Sequence, residues 1–246
     1  GVYPTNKIRD FLVANKVFIF ELSSEPADSN EYRLRVNFLK KVNPLGKVFG
    51  WLSNKCSESS YIKLSSRYGL ISICSDNAAN YSFHMHFKPV MTTQGEIHVE
   101  AVNLDTNKVY ITFVLSDGDA LPWLSSFQGH QWLSKSRGQI PFGWELQPLL
   151  FDYGGGLLSY YFETASNNDC FIASASGIGY ISPPAMPSSY LKRYLMATRS
   201  YIKRMNMKVM TVIAHSEVHS GMKEMYAKYF ENILLGCIEG YFGNQY

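Results

Sequence analysis

The stretch Lys108–Asp119, KVYITFVLSDGD, constrains the fold more than any other part of the chain. Val109, Ile111, Phe113 and Leu115 alternate with Tyr110, Thr112 and Val114, so the run is apolar on both faces. That pattern fits a strand covered on both sides, the usual state of a strand in a parallel α/β sheet. The run stops at Ser116-Asp117-Gly118-Asp119, two carboxylates flanking a residue that can turn at any φ. Parallel strands deliver functional groups at their carboxyl ends, which makes Asp117 and Asp119 the first candidates for chemistry.

Similar runs recur. Val17–Leu22, Lys47–Leu52, Leu70–Ser75, Pro141–Leu146, Asp169–Ser174, Lys208–Ala214 and Leu234–Tyr241 read as further strands, and Glu96–Val102 as a weaker candidate. Between them, Glu31–Val42, Ser59–Tyr68, Leu121–Ser136 and Gly221–Asn232 carry apolar residues at helical spacing. The longest stripe is Tyr190, Leu191, Tyr194, Leu195, Tyr201, Ile202 and Met205, behind Pro183, Pro184 and Pro187. Gly154-Gly155-Gly156 marks a loop leading into another helix. Strands alternating with helices predict an α/β fold, most simply a TIM-like (β/α) barrel, irregular, with seven or eight strands. An open doubly wound sheet is the alternative. Residues 1–246 read as one barrel-like domain, and the start at Gly1 with no helix after the last strand suggests a fragment of a longer protein.

Composition narrows the function classes. Hydrophobic residues make up 46% and charged residues 17%, which supports a packed core and argues against disorder. A scattered net charge of +3 gives no reason to expect a nucleic-acid partner. No apolar run approaches the roughly 20 residues that span a bilayer, so no membrane partner is expected. The 17 Tyr, 15 Phe and 4 Trp suit a core of large side chains and a sugar-stacking cleft equally well. Cys56, Cys74, Cys170 and Cys237 are far apart and make no zinc pattern. Gly177-Ile178-Gly179 is not a dinucleotide loop, because Ser182 stands where the third glycine belongs and prolines follow. No cofactor is expected. GVYPTNKIRD is not a signal peptide, and Asn80-Tyr81-Ser82 is a sequon that permits glycosylation without assigning a compartment.

Further candidates lie at strand ends. Two acids that share a site can divide into a proton donor and an ionised partner when their surroundings push their pKa values apart. Glu145 ends the run Pro141–Leu146 beside Trp144, and in a barrel both are expected on the rim that carries Asp117. A Trp next to a carboxylate suits sugar stacking combined with acid–base chemistry. Glu217 follows Lys208–Ala214 and Asp76 follows Leu70–Ser75, with Glu21 and Glu239 also near strand ends. His84 and His86 on an extended segment, completed by His215 or an aspartate, are a possible metal pair.

Gly177-Ile178-Gly179-Tyr180-Ile181-Ser182-Pro183 resembles the signature of the GxGYxYP putative glycoside hydrolases, with Ser182 in place of the second Tyr. YITFVLSDGD at 110–119, PFGWELQP at 141–148 and Asn168-Asp169-Cys170-Phe171 resemble that family's C-terminal domain, though Ala120 stands where Asn is expected. Asp76 with Asn80, and Gly50-Trp51, fit its general pattern. The resemblance implies a barrel-like domain cleaving a poly- or oligosaccharide. Asp117, Asp119, Glu145 and Glu217 are then the catalytic candidates. Asp76, Asn80, Trp144, Gly177, Gly179 and Tyr180 are the substrate-binding candidates. Ala120 and Ser182 motivate an alternative, a carbohydrate-binding protein without chemistry. A third class is a metal-dependent polysaccharide deacetylase using Asp117 or Asp119 with His84, His86 or His215. Oligomeric state is unassigned, and secretion or an extracellular location is the candidate compartment.

Overall fold

The computed structural model describes residues 7–52, 56–96, 103, 105–215 and 220–240. Two helices, α1 (Arg9–Ala14) and α2 (Ser29–Leu39), precede strand β1 (Lys47–Gly50). Helix α3 (Glu58–Arg67) follows, opened by Ser57, whose Oγ accepts a bond from the Ser60 amide at 3.2 Å. Gly69, at φ 71°, ends that helix and leads into β2 (Ile71–Cys74) and then the short α4 (Tyr81–His84). The second half alternates more regularly: β3 (Val114–Leu115), α5 (Leu121–Ser125), α6 (Phe127–Trp132), β4 (Phe142–Leu146), α7 (Leu150–Tyr153) and α8 (Gly155–Thr164). Strand β5 (Asp169–Ala173), helix α9 (Ser188–Met205), β6 (Val209–Ile213), α10 (Ser220–Phe230) and β7 (Gly236–Gly240) complete it. Leu191, Tyr194, Leu195, Thr198, Ile202 and Met205 form the buried stripe of α9, and Asn206 closes it in the left-handed conformation. None of the described helices is long and apolar enough to cross a membrane.

The α/β class holds, but the closed eight-stranded barrel does not. Among the described residues the strands form a five-stranded parallel sheet, in order β3-β4-β5-β6-β7, and a separate parallel pair, β1-β2. A single bridge, Cys74 to Ala120, links the two sheets. The edge of β2 away from β1 is taken by the chain after β5, through reciprocal bonds between Ser72 and Tyr180 of 2.9 and 3.0 Å. That segment occupies backbone groups a closing strand would need.

Two expected strands fail for identifiable reasons. Val17–Leu22 is not a strand; Phe18 and Phe20 instead lay their rings on Phe38 of α2 at 4.8 and 5.8 Å. Of the run 108–115 only Val114–Leu115 pairs, along an edge of the sheet, and Val109 (88%), Ile111 (71%) and Phe113 (49%) are exposed. An apolar run states that a segment can be covered, not that a neighbour is present to cover it. Glu96–Val102 lies, apart from Glu96, outside the described residues. The helix expected over Leu121–Ser136 is broken at Ser126, φ −117° and ψ −91°, into α5 and α6.

The five-stranded sheet separates two environments. Trp144 and Phe171 face outward and meet Trp132 of α6 at 5.0 and 5.6 Å, with Tyr161 of α8 against Trp132 at 4.8 Å. Successive side chains on a strand point to opposite faces. Glu145, next to Trp144, therefore projects to the other face, where Ser174 and Thr211 meet it.

Candidate functional site

Polar residues converge at the carboxyl ends of the parallel strands. The turn after β3 places Asp117 in the left-handed region at φ 68° and closes through a 3.0 Å bond from the Ala120 amide to the Asp117 carbonyl. Its middle residue lies against the backbone of β4, so that a Cβ on Gly118 would sit 2.0 Å from the Glu145 carbonyl oxygen. Only glycine allows that approach. Gln147 then fastens the turn: its amide donates to the Gly118 carbonyl at 2.9 Å, and its side-chain amide donates to the Asp119 carbonyl at 3.1 Å. The loop that carries the two aspartates is thus held in place by the strand that carries Glu145.

Burial sets the electrostatics. Glu145 is 1% exposed, and its carboxylate accepts bonds from the Ser174 hydroxyl at 2.9 Å and from the Thr211 hydroxyl. Burial raises its pKa, the two hydroxyls oppose the rise, and the nearby Asp117 charge adds to it. Asp119 is 6% exposed. Its pKa is pushed up to about 7, first by burial, then by the charge of Glu145, with smaller contributions from Asp117 and Glu58. The Cys74 thiol, at the end of β2, is pushed up by burial and then by Asp119, Asp76, Glu58 and Asp117. Burial likewise raises half-buried Asp76. One group of carboxyls therefore gathers from the ends of β2, β3 and β4, and Asp119 is the member that holds a proton near neutrality.

A second cluster stands beside it. The Tyr180 hydroxyl donates to Glu58 Oε1 and lies 2.6 Å from His215 Nε2. With its one proton given to Glu58, the phenol oxygen is left as an acceptor, which matches the His215 tautomer that carries hydrogen on Nε2. His215 Nε2 is 3.5 Å from Glu58 Oε1. The Tyr180 ring is tilted by only 23° from Trp51, with centroids 6.1 Å apart, and by 26° from the His215 imidazole, which meets its hydroxyl edge with centroids 5.7 Å apart. Burial lowers the His215 pKa, and Glu58 partly opposes the shift.

The glycines around Tyr180 serve packing. At Gly177, with φ 147°, a Cβ would lie 2.6 Å from the Tyr194 hydroxyl and from Thr198 Oγ1. At Gly179 it would lie 2.6 Å from Ile71 Cγ2. Tyr194 donates to the Gly179 carbonyl at 2.6 Å, and buried Ser182 donates to the Ala214 carbonyl at 2.7 Å. The loop is a wedge between β2 and α9 that fixes where Tyr180 points.

Of the residues singled out from the sequence, the fold brings together Asp117, Asp119, Glu145, Asp76 and Tyr180. Trp144 is elsewhere: it is core, its indole nitrogen donating to Asp169 at 2.8 Å, on the face opposite Glu145. Gly177 and Gly179 shape the loop from within, and Asn80 is exposed at φ 53° where α4 opens. Glu217 lies outside the described residues. His84 ends the helical turn α4 rather than an extended segment, and no group of three or more metal-ligating side chains occurs among the described residues. Sequence reasoning missed Glu58 as a member of the site. Its only signal was an acid in the first turn of a helix, which the helix dipole explains equally well.

Residues 107–246 match the model of the GxGYxYP putative glycoside hydrolase C-terminal domain, and residues 2–86 match that of the GxGYxYP third domain. The chain is also similar to a crystal structure of a putative hydrolase from Bacteroides thetaiotaomicron VPI-5482, with a TM-score of 0.80 and 25% identity. The similarity covers 92% of this chain and 43% of that one, so the chain spans less than half the length of that protein. No curated protein matches it.

Proposed function

The chain belongs to the GxGYxYP putative glycoside hydrolase family, and from that premise we propose that it cleaves glycosidic bonds of a poly- or oligosaccharide with Asp119 as the proton donor. The observation that carries this reading is a buried carboxyl, with its pKa pushed up to about 7, beside further carboxylates at the ends of parallel strands. Asp119 gives its proton to the glycosidic oxygen as the bond from that oxygen to the anomeric carbon breaks. Asp117, half-buried one turn away, supplies the carboxylate that attacks the anomeric carbon or takes a proton from the attacking water. Glu145 acts on Asp119 rather than on substrate: both its oxygens are engaged by hydroxyls, and its charge strengthens the hold of Asp119 on the proton.

The test uses leaving groups. Asp119→Asn is expected to lower hydrolysis of unactivated oligosaccharides by about 10²- to 10⁴-fold. It should affect 2,4-dinitrophenyl glycosides far less, because dinitrophenolate departs without protonation. Wild-type activity should fall as pH rises through about 7, where Asp119 loses its proton. An Asp119→Asn variant with unchanged turnover on both substrate types would refute the assignment, and glycan binding without turnover by the wild type would replace hydrolysis with recognition.

A further inference from the structure

An apolar cavity adjoins the acidic group, and the function proposed for that group leaves it unused. The cavity measures about 490 Å³, within the range of about 300–1,000 Å³ that small-molecule sites occupy. Ala78, Tyr81, Phe87, Leu121, Tyr153 and Tyr160 are among its walls, and exposed Phe83 and Ala79 stand at its rim. Its position follows from the chain. Cys74 and Ala120 form a parallel bridge, so the segments around them run side by side. Asp76 and Asp119 belong to the carboxyl group, whereas Ala78 and Leu121, two residues further on, belong to the cavity wall. Two residues of chain span at most about 7 Å.

The lining determines what fits. Besides the phenol hydroxyls of Tyr81, Tyr153 and Tyr160, the polar side chains in the wall are His84 and Ser125, and the Ser125 hydroxyl already has the carbonyls of Leu121 and Pro122 as acceptors, at 3.3 and 3.2 Å. The rest of the lining, including Phe83, Phe87, Leu121, Leu150 and Leu157, presents carbon, which suits an apolar ring or chain better than the hydroxyl-bearing edge of a sugar. The buried hydroxyl of Tyr81, in contrast, has no partner among the described residues. The cavity thus matches a flat or chain-like apolar group carrying at most one or two polar atoms.

Resting on the glycosidase reading, we propose that this cavity is the leaving-group subsite and that the bond cleaved joins the saccharide to an aryl or alkyl alcohol, which narrows the substrate class to saccharides carrying such an aglycone. The sugar meets the carboxyls while the aglycone occupies the cavity, and the oxygen protonated by Asp119 departs as that alcohol.

Free 2-naphthol tests the cavity without requiring catalysis. Calorimetry should give saturable binding to the protein, weakened about tenfold or more by Leu157→Trp, which fills the wall, and by Ala79→Trp, which closes the rim. Tyr81→Phe should weaken 2-naphthol but leave naphthalene binding unchanged. Absence of saturable binding, or binding indifferent to both tryptophans, overturns the site. The second arm compares naphthyl with methyl glycosides. A kcat/KM preference of about tenfold or more for naphthyl, lost in Ala79→Trp, supports the leaving-group role. Equal cleavage of both by the wild type overturns that role while the glycosidase reading stands. Naphthol binding with neither glycoside cleaved overturns the role together with the glycosidase reading, leaving an apolar site of another purpose.

Discussion

Asp119 with Glu145, and Tyr180 with His215 and Glu58, are neighbouring clusters at the same strand ends that treat buried polarity in opposite ways. In the second, each polar atom named has a hydrogen-bond partner of complementary kind, phenol to carboxylate and imidazole to phenol. In the first, two carboxyls face burial together, and only Glu145 is supplied with hydroxyl donors. Asp119 keeps its proton instead. A satisfied network orients its members and resists change, whereas an unrelieved carboxyl is a stored proton that a reaction can use. On the glycosidase reading proposed above, the difference separates positioning residues from the proton donor.

The largest expected effect removes the unrelieved carboxyl. The folded-state pKa of Asp119, about 7, lies above its ordinary value of 3.8. Between those values the unfolded chain is ionised while the folded protein still holds the proton, so stability falls as pH rises and levels off above about 7. Asp119→Asn abolishes that loss. It should stabilise the protein above pH 7 by an amount on the order of 4 kcal/mol at most, and the gain should vanish below about pH 4. Urea titrations at a series of pH values measure it, and a variant less stable than wild type at pH 8 would erase the contrast between the clusters.

Gly118→Ala comes next. Its Cβ would meet backbone, the Glu145 carbonyl at 2.0 Å, which cannot swing aside as a side-chain tip can. We expect a loss of about 3 kcal/mol in unfolding free energy, with the aspartates displaced from Glu145. Asp119 should then titrate closer to an ordinary carboxylate, which a pH–activity profile would register. Glu145→Gln is subtler, since it keeps a side chain of the same size between the hydroxyls of Ser174 and Thr211, deletes the charge, and requires only that the hydroxyl facing the new NH2 turn from donor to acceptor. The high-pH limb of the activity profile should move to lower pH. A limb that stays in place would mean that the Glu145 charge does not help to hold the Asp119 proton.

How much of this was legible in the sequence depends on which neighbour each signal needed. Leu70–Ser75, Pro141–Leu146, Asp169–Ser174 and Lys208–Ala214 are strands because apolar runs bounded by turn residues carry their own evidence of burial. The same signal misled at Val17–Leu22 and at Lys108–Phe113, where the apolar side chains lie on a helix or stand exposed at a sheet edge. Barrel closure is a long-range property, and the Ser72–Tyr180 bridge that occupies the edge of β2 joins residues 108 positions apart. The position of Asp117, Asp119 and Glu145 at strand ends was legible because strand ends can be read locally. The pairing of Trp144 with Glu145 was misread, since adjacent residues on a strand cannot share a face. Glu58 was missed because its partner lies 122 residues away.

Tyr180→Phe is the smallest change and the sharpest probe of whether the two clusters are separate. It deletes one oxygen that donates to Glu58 and accepts from His215, while keeping the ring beside Trp51. Loss of those bonds should cost about 1–2 kcal/mol, because Glu58 is partly solvated and can turn to water. The His215 Nε2 hydrogen loses its acceptor, which nitrogen chemical shifts of the ring would report. If Tyr180, His215 and Glu58 only position, the Asp119 limb of the pH profile stays where it was and kcat changes more than that limb does. Movement of the limb would show instead that removing the phenol redirects the Glu58 charge toward Asp119, a coupling already visible in the contribution Glu58 makes to the raised pKa of Asp119. The clusters would then titrate as one system, and the proton assigned to Asp119 would belong to the pair of clusters rather than to one carboxyl.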